Sequence, residues 1–220
     1  MLTVHHLNNS RSQRILWLLE ELGLPYEIKR YERNAKTMLA PPELKAIHPL
    51  GKSPLVTDGG DVLAESGAII ETLLERHGNG RLLPAPGTPE FQRYRYWLHY
   101  AEGSAMPLLV MKLVTSQVPR RAPALIRPLA RAVIGALDQA FTSPQLKLHL
   151  DYIESELGKS EWFAGSELTG ADIQMSFVLE AASARAAGDR PRIKAFVDRI
   201  QARPAYRKAL EKGGPYGILG

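Results

Sequence analysis

The stretch from Pro49 to Ser66, PLGKSPLVTDGGDVLAES, constrains the fold more tightly than any other part of the chain. Asp58-Gly59 between two apolar runs is a strong signal for a β-hairpin. Pro54 has no amide hydrogen, so it suits the first residue or the edge of a strand. There the backbone of Ser53 is left free to pair with an extended ligand. Glu65-Ser66 then opens a helix facing that edge, where free amides and the positive dipole end suit a carboxylate. Together these features describe a socket for a short peptide with a charged end.

The 220 residues suffice for one large or two ordinary domains. A hydrophobic fraction of 45% and a charged fraction of 23% are those of a soluble globular protein. The net charge of +5 suits an anionic small molecule. No compact basic stripe with interleaved aromatics points to nucleic acid. The absence of cysteine excludes disulfides, thiolate metal sites and cysteine nucleophiles. Met1 to Arg14 is too polar for a signal peptide, and the apolar run Met106–Val114 is too short to span a bilayer, so no membrane is expected. A cytoplasmic location is the expectation. His5, His6 and His48 lack metal-like spacing, and no metal site is expected.

The two halves of the chain follow different patterns. Up to about Gly78 strands and helices mix. Strand candidates are Leu2–Leu7 and Tyr26–Tyr31, separated by a helix from Ser12 to Leu22 that Gly23 and Pro25 end. Pro41-Pro42-Glu43 starts a short helix through Ile47, and the hairpin and a helix from Glu65 to His77 complete the set. That order is thioredoxin-like. Residues 79–89, rich in glycine and proline, read as a linker. From residue 90 onward all predicted elements are helical. One long aromatic-rich helix is expected from Glu90 to about Val118, with a bend at Pro107. Pro119, Pro123 and Pro128 are expected to break the chain into a turn region. Ser143 is expected to cap a helix whose buried stripe is Leu146, Leu150, Ile153 and Leu157. Thr169-Gly170-Ala171-Asp172 has the form of a capping box, opening a helix to Ala187 with Gly188 as its stop. Shorter helices around Ile193–Gln201 and Pro204–Glu211 follow. Tyr94, Trp97 and Tyr100 recur at helical spacing, a pattern of core packing first and of a ligand wall second. Arg120, Arg121, Arg127 and Arg131 read first as a solvated helix face and second as an attractor for an anionic substrate.

Asn8-Asn9-Ser10-Arg11-Ser12-Gln13-Arg14, Leu19-Glu20-Glu21-Leu22-Gly23, His48-Pro49-Leu50-Gly51-Lys52-Ser53-Pro54, Glu65-Ser66 and Thr169-Gly170-Ala171-Asp172 resemble the cytosolic glutathione S-transferases, over both halves and in the right order. The active-site pattern is similar to that of bacterial serine-type members, theta- or delta-like. The resemblance implies an α/β thioredoxin-like glutathione-binding domain (1–78), the linker, and an all-α helical-bundle domain (90–220), usually in a homodimer. It implies glutathione as co-substrate and a small hydrophobic electrophile bound between the domains, in a detoxifying reaction. Pro54 would be the family's cis-proline, with the Ser53 backbone pairing to the cysteinyl part of glutathione. Glu65 and Ser66 would hold the γ-glutamyl end, and Lys52 would sit near the tripeptide's charged groups. Two departures are visible: His48 stands where members often carry asparagine, and Gly67 where some carry an arginine that contacts carboxylate.

A free thiol has a pKa near 8.5, so only a few per cent is thiolate at neutral pH. A helix N-terminus and one placed hydroxyl donor stabilise the thiolate. Serine-type members carry the catalytic serine four residues before an arginine, which pairs Ser10 with Arg14. Ser10 is the leading candidate, and Ser12 is the alternative, with an N-cap as its structural role. Without cysteine the chain forms no protein–glutathione mixed disulfide. A glutathione-dependent peroxidase or disulfide reductase, and a non-catalytic binding protein on the same fold, are the competing functions.

Overall fold

A computed structural model describes residues 1–185 and 188–217. Strands β1 (Leu2–Leu7), β2 (Tyr26–Tyr31), β3 (Leu55–Asp58) and β4 (Asp61–Ala64) form one sheet in the order β2-β1-β3-β4. β1 and β2 run parallel with Leu2 opposite Tyr26, and helix α1 (Ser12–Leu22) makes the crossover between them. β3 returns antiparallel to β1, with Val4 opposite Val56. The β3–β4 turn is Gly59-Gly60 with φ of 58° and 108°, the positive angles that a two-residue hairpin turn requires and that glycine supplies without steric cost. Asp58 and Asp61 face each other across this turn, and Arg76 bridges both at 3.1 and 2.9 Å.

α1 is built as its pattern predicts: Ile15, Leu18, Leu19 and Leu22 are buried. Gly23 at φ 64° ends it, donating to Glu20 while Leu24 donates to Leu19, a paired closure that satisfies the last free carbonyls. The predicted helix after Pro41 is a 3₁₀ helix, Pro42–Ala46, too short for an α-helical ladder. Helix α2 runs Ser66–His77, with Glu65 as its N-cap rather than its first residue.

The long helix expected from Glu90 is α3 (Pro89–Tyr100), a π-helical turn (Ala101–Ala105) and α4 (Met106–Arg121). Proline clashes with the carbonyl four residues earlier, which for Pro107 is Gly103, inside the π turn. The wider turn makes room for the ring without breaking the rod. The same device recurs in α5 (Arg127–Leu137), a π turn (Asp138–Thr142) and α6 (Ser143–Glu156), where Pro144 stands four residues after Ala140. Ser143 is therefore no N-cap. Its backbone is helical, and its hydroxyl donates to Asp138 at 2.8 Å. Leu146, Leu150 and Ile153 are buried as expected, while Leu157 is half-buried. Pro119 does not break the chain either, because it lies in the last turn of α4, where one lost hydrogen bond is tolerated. The break falls at Ala122, which Pro123 forces into extended backbone with ψ 140°.

Helices α7 (Gly170–Arg185), α8 (Pro191–Ala202) and α9 (Pro204–Gly213) complete the chain. Ala187, the predicted end of α7, lies outside the described residues. Asp172 reaches back as a capping box demands, its carboxylate accepting the Thr169 N–H at 2.8 Å. The reciprocal half is different: the Thr169 hydroxyl also donates to Asp172, at 2.8 Å, and the other carboxylate oxygen accepts the Phe163 N–H at 2.7 Å. One continuous core joins both halves. α1 packs on α9, α7 and α2, and α2 packs on α7. A Cβ on Gly170 would come within 2.7 Å of Ile70 and 2.8 Å of Leu74, so the start of α7 seats on α2 only because Gly170 has no side chain. Tyr94, Trp97 and Tyr100 are all buried in this core, the role their spacing favoured.

Candidate active site

Two cavities meet at Arg11. One, of about 270 Å³, opens between the N-terminal end of β3 and the start of α2, and its walls include Arg11, Lys52, Ser53, Pro54, Glu65, Ser66 and Glu102. The other, of about 450 Å³, is walled by Met38, Met106, Leu109, Val110, Leu113 and Phe177, with Arg11 and Arg33 at its polar end. The structure thus brings together five of the residues singled out in the sequence: Lys52, Ser53, Pro54, Glu65 and Ser66.

The Ser53–Pro54 peptide is cis. Ladder pairing to β1 stops at Leu55, and the Ser53 backbone has no hydrogen-bond partner among the described residues. Its hydroxyl donates to the His5 carbonyl at 3.2 Å. Lys52 is exposed and forms no ion pair among the described residues. His48 accepts the Leu50 N–H at 3.4 Å, a loop-bracing role.

Glu65 holds φ 69° without being glycine, a backbone state that costs of order 1–3 kcal/mol and gathers at ligand sites. It leaves the carboxylate exposed at the cavity rim. Ser66 is buried, and its Oγ accepts from Arg14 Nη1 at 3.3 Å and from Gln174 Nε2 at 3.1 Å. With both lone pairs so occupied, its own proton is left to donate into the cavity. The free amides at the start of α2 point the same way, a ready site for a carboxylate.

Behind this wall lies a cluster that the sequence reading missed. Glu102, in the first π turn, accepts from Arg11 Nε at 2.9 Å and from Arg14 Nη1 at 2.5 Å. Burial alone would raise the Glu102 pKa, but the two guanidinium groups hold it below the ordinary value. Burial lowers that of Arg14, with Glu102 opposing it. Both arginines also lie over the Phe177 ring, at 5.6 and 5.2 Å. The available signal was an acid five positions before Pro107 inside a run of aromatic and apolar residues. π turns are frequent at functional sites.

The two candidate hydroxyls sit side by side, 2.8 Å apart. Ser12 is fully buried and saturated: its Oγ contacts His6 Nδ1 at 2.9 Å and lies 3.3 Å from both the Leu7 N–H and the Leu7 carbonyl. Burial pushes the His6 pKa down to about 4, so this partner is neutral at neutral pH. Ser10 faces the other way. Its Oγ accepts the Ser12 N–H at 3.2 Å and lies 3.5 Å from Ser53 Oγ. The N-cap position of α1 belongs to Arg11, not to Ser12, which is the first helical residue. Ser10 is buried one hydroxyl behind the cavity wall, which Ser53 and Arg11 form. Among the described residues no group of three His, Asp or Glu side chains is placed to hold a metal ion.

Two family models match the chain: the glutathione S-transferase N-terminal domain over residues 10–76 and the glutathione S-transferase C-terminal domain over residues 119–204. Glutathione S-transferase 3 of Schizosaccharomyces pombe is 38% identical over 214 residues, covering 96% of this chain and 88% of that protein. Glutathione S-transferase 1 of Saccharomyces cerevisiae is 37% identical over 228 residues, covering 99% and 97%. A crystal structure of a glutathione S-transferase from Actinobacillus pleuropneumoniae superposes with a TM-score of 0.84 at 38% identity, covering 99% of this chain and 95% of that one. By its domain models, its relatives and its fold, this chain belongs to the glutathione S-transferase family.

Proposed function

We propose that this protein is a serine-type glutathione transferase that raises the nucleophilicity of the glutathione thiol and joins it to a small apolar electrophile. The observation that carries this reading is the junction at Arg11 of a polar cavity fit for a peptide with an apolar cavity beside it.

Glutathione would lie extended along the Ser53 backbone. Its γ-glutamyl carboxylate accepts from Ser66 and the first amides of α2, its ammonium group pairs with Glu65, and Lys52 meets the opposite carboxylate. This sets the sulfur at the junction against Ser53 and Arg11. There Ser10, one hydroxyl behind, donates to Ser53 Oγ so that the Ser53 proton turns to the sulfur, and the Arg11 guanidinium adds positive charge. Both favour the thiolate over the thiol. The thiolate then attacks an electrophile held against Phe177 and Met106. The new C–S bond forms as a leaving group departs with its electron pair, or as the π pair of an activated double bond shifts to the neighbouring atom and takes up a proton. Because the chain has no cysteine, glutathione is the sole sulfur nucleophile at the site.

Isothermal calorimetry with glutathione, followed by turnover of an aryl halide, a peroxide and a glutathione mixed disulfide, tests this. Binding with conjugation of the aryl halide is the expected outcome. Turnover of the peroxide or disulfide alone would replace the transferase reading with a reductive one, and no binding at millimolar glutathione would remove both.

A further inference from the structure

Resting on the reading above, we propose that the second substrate is an apolar electrophile that carries a carboxylate, and that Arg33 is the residue that selects it.

The inference comes from a charge imbalance in the 450 Å³ cavity. Its walls are apolar, yet two guanidinium groups, Arg11 and Arg33, enter it, and no carboxylate lines it among the described residues. Arg11 is matched by Glu102, which it shares with Arg14. Arg33 has no acidic partner among the described residues. Its Nη1 donates to the Met38 carbonyl at 3.0 Å and its Nη2 to the Asn9 carbonyl at 3.4 Å, neutral partners that orient the guanidinium without cancelling its charge. A half-buried, uncompensated guanidinium beside an apolar wall is costly, and pairing it with an anion relieves that cost. Its planar fork fits a carboxylate in particular.

A second observation shows that the position is built. The loop carrying Arg33 folds back on itself, with Asn34 and Leu39 paired at 2.9 Å and Met38 donating to Asn34 at 2.8 Å. The Asn34 side chain accepts the Lys36 and Thr37 amides, both at 3.0 Å. The outcome is Met38 at φ 60°, a strained state for a side chain with a Cβ, and its carbonyl holds Arg33. From the other side Asn8 Oδ1 accepts the Arg33 amide at 2.9 Å. Burial first and Arg11 second lower the Arg33 pKa, in keeping with a site that lacks an anion.

Glutathione itself carries carboxylates, so the test keeps it constant. S-(4-carboxybenzyl)glutathione and S-benzylglutathione are titrated by calorimetry into the wild type, Arg33→Met and Arg33→Lys. The wild type should bind the carboxybenzyl conjugate at least tenfold more tightly. Arg33→Met should abolish that preference and leave S-benzylglutathione unchanged, and Arg33→Lys, a point charge without the fork, should keep part of it. Equal wild-type affinities would overturn the inference without reference to any variant. So would Arg33→Met weakening both ligands alike, because Arg33 would then serve glutathione. Binding of neither conjugate would instead defeat the glutathione reading on which the inference rests.

Discussion

Arg14 Nη1 lies 2.5 Å from Glu102 Oε1, an ion pair that joins the first helix of the sheet half to the π turn of the helical half, with the arginine side chain 1% exposed. The same nitrogen reaches Ser66 Oγ. The interdomain pair therefore also sets the hydroxyl offered to the ligand. Arg14→Leu should destabilise the fold by about 3 kcal/mol, the usual cost of breaking a buried pair. It should also weaken glutathione binding about tenfold, the equivalent of losing one charge-assisted hydrogen bond's worth of positioning. Thermal unfolding and calorimetry read the two effects separately. A folded variant with unchanged glutathione affinity would show that Ser66 orients itself without Arg14.

The neighbouring serines separate by their partners. Ser10→Ala removes the hydroxyl nearer the cavity and should lower kcat at least tenfold, at a stability cost of about 1 kcal/mol from the lost Ser12 N–H bond. Ser12→Ala strips a donor and acceptor from His6 and Leu7 and should cost roughly 1–3 kcal/mol of stability, the desolvation cost of unpaired buried groups, with little effect on kcat. The reverse pattern would transfer the catalytic role to Ser12.

What was legible in the sequence was local. The bounds of the first two strands, Gly23 and the Thr169–Asp172 spacing each depend on a few adjacent residues and lie where they were expected. The hairpin turn falls one residue later than Asp58-Gly59, at Gly59-Gly60, because Asp58 still pairs with Asp61. The cavity-lining residues Ser53, Glu65 and Ser66 were legible because a hairpin and a helix start bring them together within fourteen residues of chain. Glu102 and Arg33 were not, because their partners are distant: Glu102 meets Arg14 from 88 residues away, and Arg33 meets Asn9 from 24. Proline was over-read. Pro107 and Pro144 each follow a π turn that accommodates the ring, so Ser143 and Pro144 continue a helix rather than start one, and periodicity does not reveal such a turn.

His6 gives the stability a pH dependence of known sign. Its folded pKa of about 4 lies below the unfolded value near 6.5, so the folded state prefers it neutral. The contribution is complete above pH 6.5 and is lost as pH falls from there towards 4, about 3 kcal/mol in all. Asp172 acts oppositely: burial raises its pKa to about 6, so its contribution declines as pH rises through that range. The measurement is therefore a difference. Urea unfolding of wild type and His6→Asn at pH 7.5 and 4.5 should show a smaller loss on acidification in the variant. An identical loss in both would mean that His6 is not protonated on unfolding.

Asp172 itself is completely buried and accepts three hydrogen bonds, two from Thr169 and one from Phe163. Asp172→Ala leaves those donors buried and unpaired, which should cost about 3–5 kcal/mol. Asp172→Asn keeps one acceptor oxygen and should cost less. Denaturant titration of the pair distinguishes them, and equal costs would show that shape rather than hydrogen bonding secures the start of α7.

The homodimer implied by family resemblance has a surface to use. No residue of α5 is buried, although its apolar side chains fall on one face. Leu129, Val133 and Leu137 are spaced four apart and exposed at 67%, 59% and 41%, and Phe141 in the π turn and Leu148 and Tyr152 in α6 carry the exposed apolar residues on. An uncovered apolar stripe of this length is uncommon on a monomer, where such patches mark contact sites. Light scattering should report twice the 24.4 kDa of one chain. Replacing Val133 and Phe141 together by glutamate should shift the species to one chain while the helical circular dichroism is kept, because neither side chain belongs to the core. A wild-type monomer would remove the dimer, and a double variant that stays dimeric would move the interface to another face.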